Sequence, residues 1–310
     1  MKEIQKVSII GSGPAGYTAA IYCSRAGLNP LMISGLEPGG QLTITTDVEN
    51  FPGFENPIQG PWLMEQMKKQ AESFGTKIEN DYVINVNLKT FPFKLQTEKK
   101  EIESYSIIIA TGAKAKWLNI EGEKDFMGFG VSACATCDGF FFKNKNVVVV
   151  GGGNTAVEEA LFLSNLCNKV VLIHRRDILR AEEILQKRLF EKKNVEIIWN
   201  SRVKQIRGDL KLKKIDSILI ENTINQEQSY LALDGFFVAI GHSPTTEIFK
   251  NLINMDNEGY ILTQPDSTKT SIEGVFAAGD VTDKVFRQAV TAAGMGCMAA
   301  LEAEKHLSHS

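Results

Sequence analysis

The stretch Lys6-Val-Ser-Ile-Ile-Gly-Ser-Gly-Pro-Ala-Gly16 decides the fold of this chain. It begins with an apolar run that predicts a buried parallel strand, continues as a GxGxxG fingerprint, and leads into a predicted helix over residues 17–26. Glycines in this pattern allow a tight turn, so that a pyrophosphate can lie against the positive end of the helix. The residues predicted to form this first dinucleotide site are Gly11, Gly13, Pro14, Ala15 and Gly16.

The same arrangement occurs a second time further along the chain. Asn146-Val-Val-Val-Val150 precedes Gly151-Gly-Gly-Asn-Thr-Ala156, and a helix is predicted over residues 157–165. Each half also contains an apolar strand that ends in a similar turn, at residues 106–112 and 235–241. The repetition predicts an α/β fold with two Rossmann-like dinucleotide-binding domains. The second site is predicted to contain Gly151, Gly153, Asn154, Thr155 and Ala156.

The strand that follows each fingerprint bears on the choice of nucleotide. In the second half, Lys169-Val-Val-Leu-Ile173 leads into His174-Arg-Arg176, and Arg180 follows. An acidic residue there would accept hydrogen bonds from a ribose 2′-hydroxyl, whereas arginines match a 2′-phosphate. This pattern predicts that the second site binds NADPH rather than NADH. The other interpretation of residues 174–176 is a solvated charged turn. In the first half the predicted strand 29–33 ends at Ser34, and no ribose contact is predicted there.

Composition and charge exclude several classes of partner. The 310 residues are 43% hydrophobic and 23% charged, which is typical of a soluble globular protein of one large or two ordinary domains. A net charge of −3 gives no electrostatic reason to expect nucleic acid or an acidic membrane as partner. The apolar run before Gly11 is too short for a secretory signal, and no apolar stretch reaches the ~20 residues of a membrane span. We therefore expect a cytoplasmic protein.

The cysteines contain one closely spaced pair. Cys134 and Cys137 are separated by two residues and can close a small disulfide ring, while Asp138 beside them is a candidate proton donor or, alternatively, a helix cap. In a reducing compartment a CxxC pair is more often catalytic or metal-binding than structural. A structural zinc site needs four ligands, and no second CxxC or CxxH accompanies this one. The three remaining cysteines are expected to be small buried hydrophobic residues: Cys23, Cys167 and Cys297.

Two further segments carry polar or aromatic candidates. Residues 274–280 form an apolar strand that closes on Gly279 and Asp280, where the carboxylate can bind a polyol hydroxyl or cap the next helix. That helix is predicted over residues 290–306. Three consecutive aromatic residues, Phe140-Phe-Phe142, follow the cysteine pair, and they cannot all face one side of a regular element. At least one is expected to be exposed as a partner contact, while for any single ring the favoured interpretation is burial beneath the next strand.

Taken together, these motifs resemble the bacterial-type low-molecular-weight thioredoxin reductases, within the two-dinucleotide-fold flavoprotein oxidoreductases. The resemblance covers nearly the whole chain, and the motifs occur in the order that this family uses. They are Gly11-Ser-Gly-Pro-Ala-Gly16, Gly39-Gly-Gln41, Cys134-Ala-Thr-Cys-Asp-Gly139, Gly151-Gly-Gly-Asn-Thr-Ala-Val-Glu-Glu-Ala160, His174-Arg-Arg176 and Gly274-Val-Phe-Ala-Ala-Gly-Asp280. One departure is Gly128-Phe-Gly130, because the family often has a basic residue between these glycines.

The resemblance implies two cofactors, a domain layout and an oligomeric state. FAD is expected on a discontinuous domain made of residues 1–114 and 244–310, and NADPH on residues 115–243, which also carry the CxxC pair. Further FAD contacts implied by the resemblance are Ser34, Gly35, Leu36, Glu37, Gly39, Gly40, Gln41, Asn50, Asp280, Arg287, Gln288 and Ala289. The NADPH contacts are expected to include His174, Arg175, Arg176 and Arg180. The family works as a homodimer.

The resemblance also implies a reaction sequence. NADPH would reduce FAD, the flavin would reduce the Cys134–Cys137 disulfide, and the dithiol would reduce thioredoxin through a mixed disulfide. Because the cysteines lie in the NADPH domain but must reach the flavin, we expect that domain to rotate about hinges at 113–124 and 242–246. Either cysteine can be the one that attacks thioredoxin.

Three other activities compete with this expectation. A redox sensor without turnover would be reduced by NADPH but would reduce no disulfide partner. A peroxiredoxin-reducing flavoprotein normally has an additional thioredoxin-like domain ahead of the first fingerprint. A glutathione-reductase-like enzyme has its cysteine pair soon after that fingerprint, where this chain has only Cys23.

Overall fold

The computed structural model of this chain describes residues 4–44 and 47–309. The helices are α1 (Pro14–Arg25), α2 (Gly60–Ser73), α3 (Ala135–Asp138), α4 (Asn154–Ser164), α5 (Glu183–Phe190) and α6 (Ala289–Ser308). The strands are β1 (Gln5–Ile10), β2 (Leu31–Ile33), β3 (Asp47–Val48), β4 (Ile58–Gln59), β5 (Lys77–Glu79), β6 (Val83–Asn87), β7 (Phe93–Thr97), β8 (Glu101–Ile109), β9 (Ala113–Ala115), β10 (Val131–Ser132), β11 (Asn146–Gly151), β12 (Lys169–Ile173), β13 (Val195–Ile198), β14 (Ser201–Asp209), β15 (Lys214–Asn222), β16 (Gln228–Ala232), β17 (Gly235–Ala239), β18 (His242–Pro244) and β19 (Val275–Ala277).

The chain divides into two compact units. Unit 1 consists of Met1–Lys114 together with Ser243–Ser310, and unit 2 consists of Ala115–His242. Among the described residues, no helix combines the length and the apolar character needed to cross a bilayer.

Unit 1 is built on a sheet with the strand order β5-β2-β1-β8-β7-β6, and β19 also pairs with β8. The central strand β1 is parallel to β2 and β8, and Ile10 lies opposite Ile33 on one side and Ile109 on the other. Residues 7–10 are all buried because helices α1, α2 and α6 cover one face and the β6–β7 hairpin and residues 249–261 cover the other. The carboxyl ends of the three strands therefore meet at one edge, where the first fingerprint begins.

Unit 2 repeats this design with a fully parallel sheet in the order β10-β17-β11-β12-β13. Helix α4 packs on one face of the central strand β11, and the antiparallel sheet β14-β15-β16 covers the other. Val150 lies opposite Ile173 and Val238, so the second fingerprint also begins at the carboxyl edge. The predicted α/β fold with two Rossmann-like domains is confirmed.

Several element boundaries differ from the predicted ones for local reasons. Helix α1 begins at Pro14, three residues earlier than predicted, because proline fits the first helical turn, where its missing N–H is not needed. Strand β2 begins at Leu31 rather than at residue 29. Asn29 has a φ of 47°, and Pro30 cannot donate to a strand ladder.

The segments that connect the two units are shorter than the predicted hinges. Strands β9 and β18 pair with each other, and the amide of Lys116 donates to the carbonyl oxygen of Gly241 at 2.9 Å. Beyond them, Trp117 packs on the core of unit 2, and the buried carboxylate of Glu123 accepts two backbone amides at 2.9 and 2.7 Å. The expected hinge 113–124 is therefore too long, because residues 117–123 belong to the packed structure of unit 2.

Candidate active site

The cysteine pair lies directly after strand β10. Cys134 is the N-cap of the one-turn helix α3, and Cys137 lies three residues later in the same turn. That spacing brings the two side chains to one side of the turn. They are joined in a disulfide with a Cα–Cα distance of 5.3 Å, and both residues are half-buried. The predicted disulfide ring is present, in a position where part of its surface stays open to solvent.

Asp138 is held close to the disulfide by its backbone. Its amide donates to the carbonyl oxygen of Cys134 at 3.1 Å. Burial raises the pKa of the Asp138 carboxyl, and the nearby Ser132 hydroxyl lowers it by a smaller amount. The side chain makes no capping hydrogen bond, so the alternative interpretation as a helix cap is wrong. A raised pKa brings this carboxyl closer to the pH range in which a general acid or base acts.

The three phenylalanines after Asp138 differ in exposure. Phe142 is buried and makes an edge-to-face contact with Phe237 at 5.4 Å between ring centroids, and Phe141 is half-buried. Phe140 is 60% exposed, and the Lys143 ammonium lies 6.0 Å from its ring centroid. The expectation that at least one of these rings is exposed is confirmed.

Phe129 occupies the position where the family often has a basic residue, and its ring is in contact with a lysine side chain. The Lys213 ammonium lies 4.0 Å from the ring centroid, within the range of a cation–π contact. Lys213 comes from the turn between β14 and β15, far from Phe129 in sequence. A positive charge is therefore present at this position of unit 2, although its source is a different element.

The first fingerprint and the loop predicted to surround FAD are connected by one serine. The Ser12 hydroxyl donates to the carbonyl oxygen of Ser34 at 2.7 Å and accepts the amide of Gly39 at 3.1 Å. These bonds hold residues 34–41 against the start of α1. A Cβ on Gly13 would meet no atom within 4 Å, so open space lies beside the uncapped helix terminus, as a bound pyrophosphate requires. Pattern reasoning missed Ser12 because its partners are distant in sequence.

The residues of loop 34–41 differ in their surroundings. Gly40 approaches the fingerprint closely, because a Cβ built on it would lie 3.7 Å from the Cα of Gly13. The Glu37 carboxylate pairs with the Lys114 ammonium at 2.9 Å, and Leu36 is exposed. The remaining predicted loop contacts, Gly35 and Gln41, lie on either side of these residues.

Residues from distant parts of the sequence also meet in unit 1. The side-chain amide of Asn50 donates to the Gln288 side-chain oxygen at 3.4 Å, and Gln288 is the N-cap of α6, directly before Ala289. The Arg287 amide donates to Asp283 at 3.1 Å. The helix-capping alternative for Asp280 is wrong, because α6 begins nine residues later.

The Asp280 carboxyl is suited to a polyol. Burial chiefly, and then the nearby Asp283 carboxylate, raise the pKa of Asp280 to about 7, against an opposing effect from Arg287. Near neutral pH this carboxyl can therefore donate as well as accept a hydrogen bond. Together with the open space at Gly13, this chemistry fits a flavin cofactor with a ribitol chain.

His174 supports the second fingerprint from beneath. A Cβ on Gly152 would lie 2.1 Å from the imidazole ring, so the ring fits only against a glycine. The side chain is 5% exposed, and Nε2 is 3.0 Å from the carbonyl oxygen of Ile178. Burial lowers the pKa of His174. His174 was predicted to contact the nucleotide. Its buried ring instead packs against Gly152 and positions the backbone of the second fingerprint.

The arginines after β12 are placed around the same fingerprint. The Arg180 amide donates to the carbonyl oxygen of Gly152 at 2.6 Å, which brings residues 175–180 against the glycine loop. The side chains of Arg175, Arg176 and Arg180 are exposed, and no carboxylate of the described chain lies within 4.0 Å of them. Such guanidinium groups are available to a phosphate.

The start of α4 is also suited to bind an anion. The Asn154 side chain is occupied by two hydrogen bonds to Glu182, at 2.9 and 3.2 Å. Gly153 is the N-cap without a side-chain capping bond, and a Cβ there would meet no atom within 4 Å. Thr155 and the buried Ala156 follow in the first turn. The open space at Gly153 and the free cations nearby fit a phosphorylated dinucleotide.

The three other cysteines lie outside these sites. Burial raises the pKa of Cys23 to about 12 and that of Cys167 to about 11, so both thiols stay protonated, as expected for small hydrophobic residues. Cys297 is only half-buried, so the expected burial is wrong for this residue. Within residues 4–44 and 47–309 no group of three histidine, cysteine or acidic residues could hold a metal ion, and the zinc interpretation finds no ligand set.

Comparison with known proteins gives a consistent result. Residues 5–296 match the pyridine nucleotide-disulphide oxidoreductase family. A thioredoxin reductase from Rickettsia bellii is 62% identical over 309 residues, which are 99% of this chain and 100% of that protein. The structure of a thioredoxin reductase from Giardia duodenalis is 42% identical and superposes with a TM-score of 0.94 over 98% of both chains. Lactococcus lactis thioredoxin reductase in the FR conformation is also 42% identical, but its TM-score is 0.66 over 99% of this chain and 100% of that one.

Proposed function

Since this chain belongs to the pyridine nucleotide-disulphide oxidoreductase family, and within it to the thioredoxin reductases, we propose that it reduces the disulfide of thioredoxin with electrons from NADPH. The observation that carries this proposal is the Cys134–Cys137 disulfide, which is half-buried beside Asp138, a carboxyl whose pKa burial raises, in the unit that contains the second fingerprint. The enzyme is a flavoprotein oxidoreductase.

Each unit offers a surface that suits one cofactor. When bound, NADPH and FAD supply a hydride and pass its electron pair to a disulfide. In unit 1, the open space at Gly13 and the Asp280 carboxyl suit the pyrophosphate and ribitol of FAD. In unit 2, the uncapped start of α4 suits the pyrophosphate of NADPH, and Arg175 and Arg176 suit its 2′-phosphate.

The cysteines carry out the exchange with the protein substrate. After two electrons have opened the Cys134–Cys137 disulfide, one thiolate attacks a sulfur of the thioredoxin disulfide and forms a mixed disulfide, releasing the other thioredoxin sulfur as a thiolate. The second enzyme thiolate then attacks the enzyme sulfur of the mixed disulfide, which restores Cys134–Cys137 and releases reduced thioredoxin. Two protons are needed for the two thioredoxin thiols, and Asp138 is placed to transfer one of them.

The distribution of the sites over the chain requires a movement between the half-reactions. The nicotinamide site and the disulfide belong to unit 2, and the flavin site belongs to unit 1, so one flavin must be reached by both in turn. The two units rotate relative to each other between these steps.

We also propose that this chain forms a homodimer and acts in the cytoplasm. Helix α6 exposes Val290, Met298 and Leu301, whose spacing places them on one side of the helix, and Tyr22 on α1 is exposed as well. Exposed apolar surface of this kind suits contact with a second copy of the chain. A CxxC pair that is reduced in every cycle suits a reducing compartment. Sedimentation of the FAD-loaded protein should give twice the mass of the chain.

The activity is tested by NADPH oxidation with the FAD-loaded protein, in the presence and absence of thioredoxin. Oxidation should depend on thioredoxin and should yield two thioredoxin thiols per NADPH, because each hydride supplies one electron pair. Rapid oxidation without thioredoxin would instead indicate an oxidase. Flavin reduction without any thiol product would indicate a redox sensor.

Replacing Arg175 and Arg176 together by alanine should remove the preference for NADPH. Loss of charge-assisted hydrogen bonds should raise the KM for NADPH roughly 10- to 100-fold and leave the KM for NADH nearly unchanged. Arg188→Ala on α5 is the matched control, since it removes an exposed arginine of the same unit. An unchanged ratio of the two KM values in the double variant would refute the assignment of the 2′-phosphate site.

A further inference from the structure

The Asp283 carboxylate is bonded to three backbone amides of the segment that leads into helix α6. Its Oδ1 accepts the amides of Val285 and Phe286, each at 2.9 Å. Its Oδ2 accepts the Arg287 amide at 3.1 Å and lies 3.5 Å from the Thr291 hydroxyl. The two oxygens therefore bind different parts of the chain. Oδ1 closes an exposed turn, whereas Oδ2 joins Arg287 to the first turn of the helix.

The backbone of Asp283 is fixed to the end of the strand that precedes Asp280. Its amide donates to the carbonyl oxygen of Gly279 at 2.9 Å. Gly279 has a φ of 82°, and a Cβ built on it would lie 2.9 Å from the Cβ of Ala15 in the first fingerprint. The turn at Gly279 is thus packed against the start of α1, and Asp283 is held at a fixed place beside the expected flavin site.

The residues that follow the turn are expected FAD contacts, and their course depends on one unusual backbone conformation. Arg287 has a φ of 48°, which is uncommon for a residue other than glycine. A side-chain-bearing residue keeps such a conformation only where its surroundings hold it. The bond from the Arg287 amide to Oδ2 of Asp283 acts directly on this residue. The direction of the chain at Arg287 then determines where Gln288 and Ala289 lie.

We propose that Asp283 is a positioning residue for the flavin cofactor, which acts by holding Arg287 in the left-handed conformation through Oδ2. The proposal rests on the proposed function, because it concerns the FAD that unit 1 is proposed to bind. Asp283 does not touch the cofactor in this role. It orders residues 287–289 before FAD arrives, so that binding does not have to order them and the affinity is higher.

An asparagine at this position distinguishes the roles of the two oxygens. Asparagine supports the same type of turn as aspartate, so Asp283→Asn should keep the bonds from Val285 and Phe286 to Oδ1. Its NH₂ group then faces the N–H of Arg287, and two donors cannot bond to each other. A flipped amide would restore the Arg287 bond only by directing the NH₂ group at the other two amides. Asp283→Ala removes both sets of bonds.

The test measures FAD affinity and the stability of the apoprotein separately. Apoproteins of wild type, Asp283→Asn and Asp283→Ala are titrated with FAD by flavin fluorescence and are unfolded in urea without FAD. Both variants should raise the Kd for FAD roughly 10- to 100-fold, the size expected for loss of one hydrogen bond to a charged group, and should agree within about threefold. The urea midpoint of Asp283→Asn should stay close to that of wild type, because its turn is kept.

Two further variants protect this comparison. Glu302→Ala is the matched control, because the Glu302 carboxylate on α6 also accepts three hydrogen bonds, from Ser267 and Thr268, but lies about 20 Å further along the helix than Ala289. It should lower the urea midpoint and change the Kd for FAD less than about twofold. If Asp283→Ala does not fold, Asp283→Ser replaces it, since a serine hydroxyl supports the turn but offers no second oxygen.

Arg287→Gly decides whether Asp283 acts through Arg287. Glycine adopts the left-handed conformation without help, so in this background Asp283→Asn should change the Kd for FAD less than about threefold. A tenfold effect in that background overturns the inference, and so does a wild-type Kd in Asp283→Asn, which would show that only the turn matters. Thioredoxin reduction by wild type with excess FAD is recorded separately. Its absence would refute the proposed function, while the titrations still decide the role of Asp283.

Discussion

Replacement of Cys134 or Cys137 by serine should lower thioredoxin reduction by at least about 1,000-fold. A hydroxyl can neither form the Cys134–Cys137 disulfide nor attack a disulfide sulfur at neutral pH, because its pKa is far above that of a thiol. The proposed flavin site is in unit 1 and the proposed nucleotide site is at the second fingerprint, so both cofactors should still bind. NADPH should therefore bleach the flavin of each variant at close to the wild-type rate.

Two measurements separate these effects. Stopped-flow absorbance reports flavin reduction by NADPH, and steady-state NADPH oxidation with thioredoxin reports the complete cycle. Cys297→Ser is the matched control, because this half-buried cysteine lies on α6 and outside the candidate sites, and its activity should equal that of wild type. Substantial thioredoxin-dependent turnover in either active-site variant would show that the electrons take another route.

The same pair of variants identifies the attacking sulfur. The substrate is a thioredoxin whose second cysteine is replaced and whose remaining cysteine carries a 5-thio-2-nitrobenzoate disulfide. Attack on the thioredoxin sulfur releases the thionitrobenzoate thiolate and leaves a mixed disulfide that no internal attack can open. The enzyme variant that keeps the attacking cysteine should accumulate a covalent adduct with it, since the second enzyme thiolate is also missing. The other variant should form none, and non-reducing electrophoresis distinguishes the two.

Gly11→Ala should prevent unit 1 from folding with its cofactor. The residue has a φ of +108°, which side chains rarely adopt, and a Cβ built there would lie 2.2 Å from the carbonyl oxygen of Ala110. That oxygen is backbone directly after strand β8, where the Ala110 amide bonds to the end of β1 at 2.8 Å, so it cannot move away without disturbing the sheet. We expect the free energy of unfolding to fall by about 3–5 kcal/mol, with loss of FAD from the purified protein.

Substitutions at two other glycines distinguish three effects: backbone strain, steric collision of the new Cβ, and loss of a cofactor contact. Gly27 has a φ of +72° but open space around its Cβ position, so Gly27→Ala should cost only about 1–2 kcal/mol of backbone strain. At Gly13 a Cβ would meet no protein atom within 4 Å, so Gly13→Ala should fold normally and lose FAD affinity. Urea unfolding of the apoproteins and the absorbance of bound FAD measure the two quantities. A Gly11→Ala protein as stable as Gly27→Ala would contradict this account of the collision.

The parts of the site that sequence alone predicts are those whose signal is local. The two fingerprints, the CxxC pair and the arginines after β12 each occupy a short segment whose backbone conformation and chemistry depend mostly on neighbouring residues. Strand boundaries were predicted within a few residues for the same reason, as at Lys169–Ile173, which was predicted without error. The hinge at 113–124 was predicted too long because the polar composition of that segment does not reveal the packing of Trp117 on unit 2.

Other parts of the candidate site depend on contacts between distant segments. Ser12 joins Ser34 and Gly39, Lys213 covers Phe129, and the His174 ring occupies the space that a side chain at residue 152 would fill. None of these pairs has a periodicity or spacing in the sequence, because the partners come together only when strands from separate parts of the chain align in one sheet.

The sequence by itself determined that this chain has two dinucleotide-binding units and a redox-active cysteine pair in the second of them, because glycine turns and the CxxC ring are local structures. Only the tertiary structure decided which groups surround that pair. Asp138 owes its raised pKa to burial, and burial is a property of the packed fold. Ser132, whose hydroxyl accepts the Cys134 amide at 3.0 Å, is buried because β10 pairs with β17, a strand more than 100 residues further along the chain.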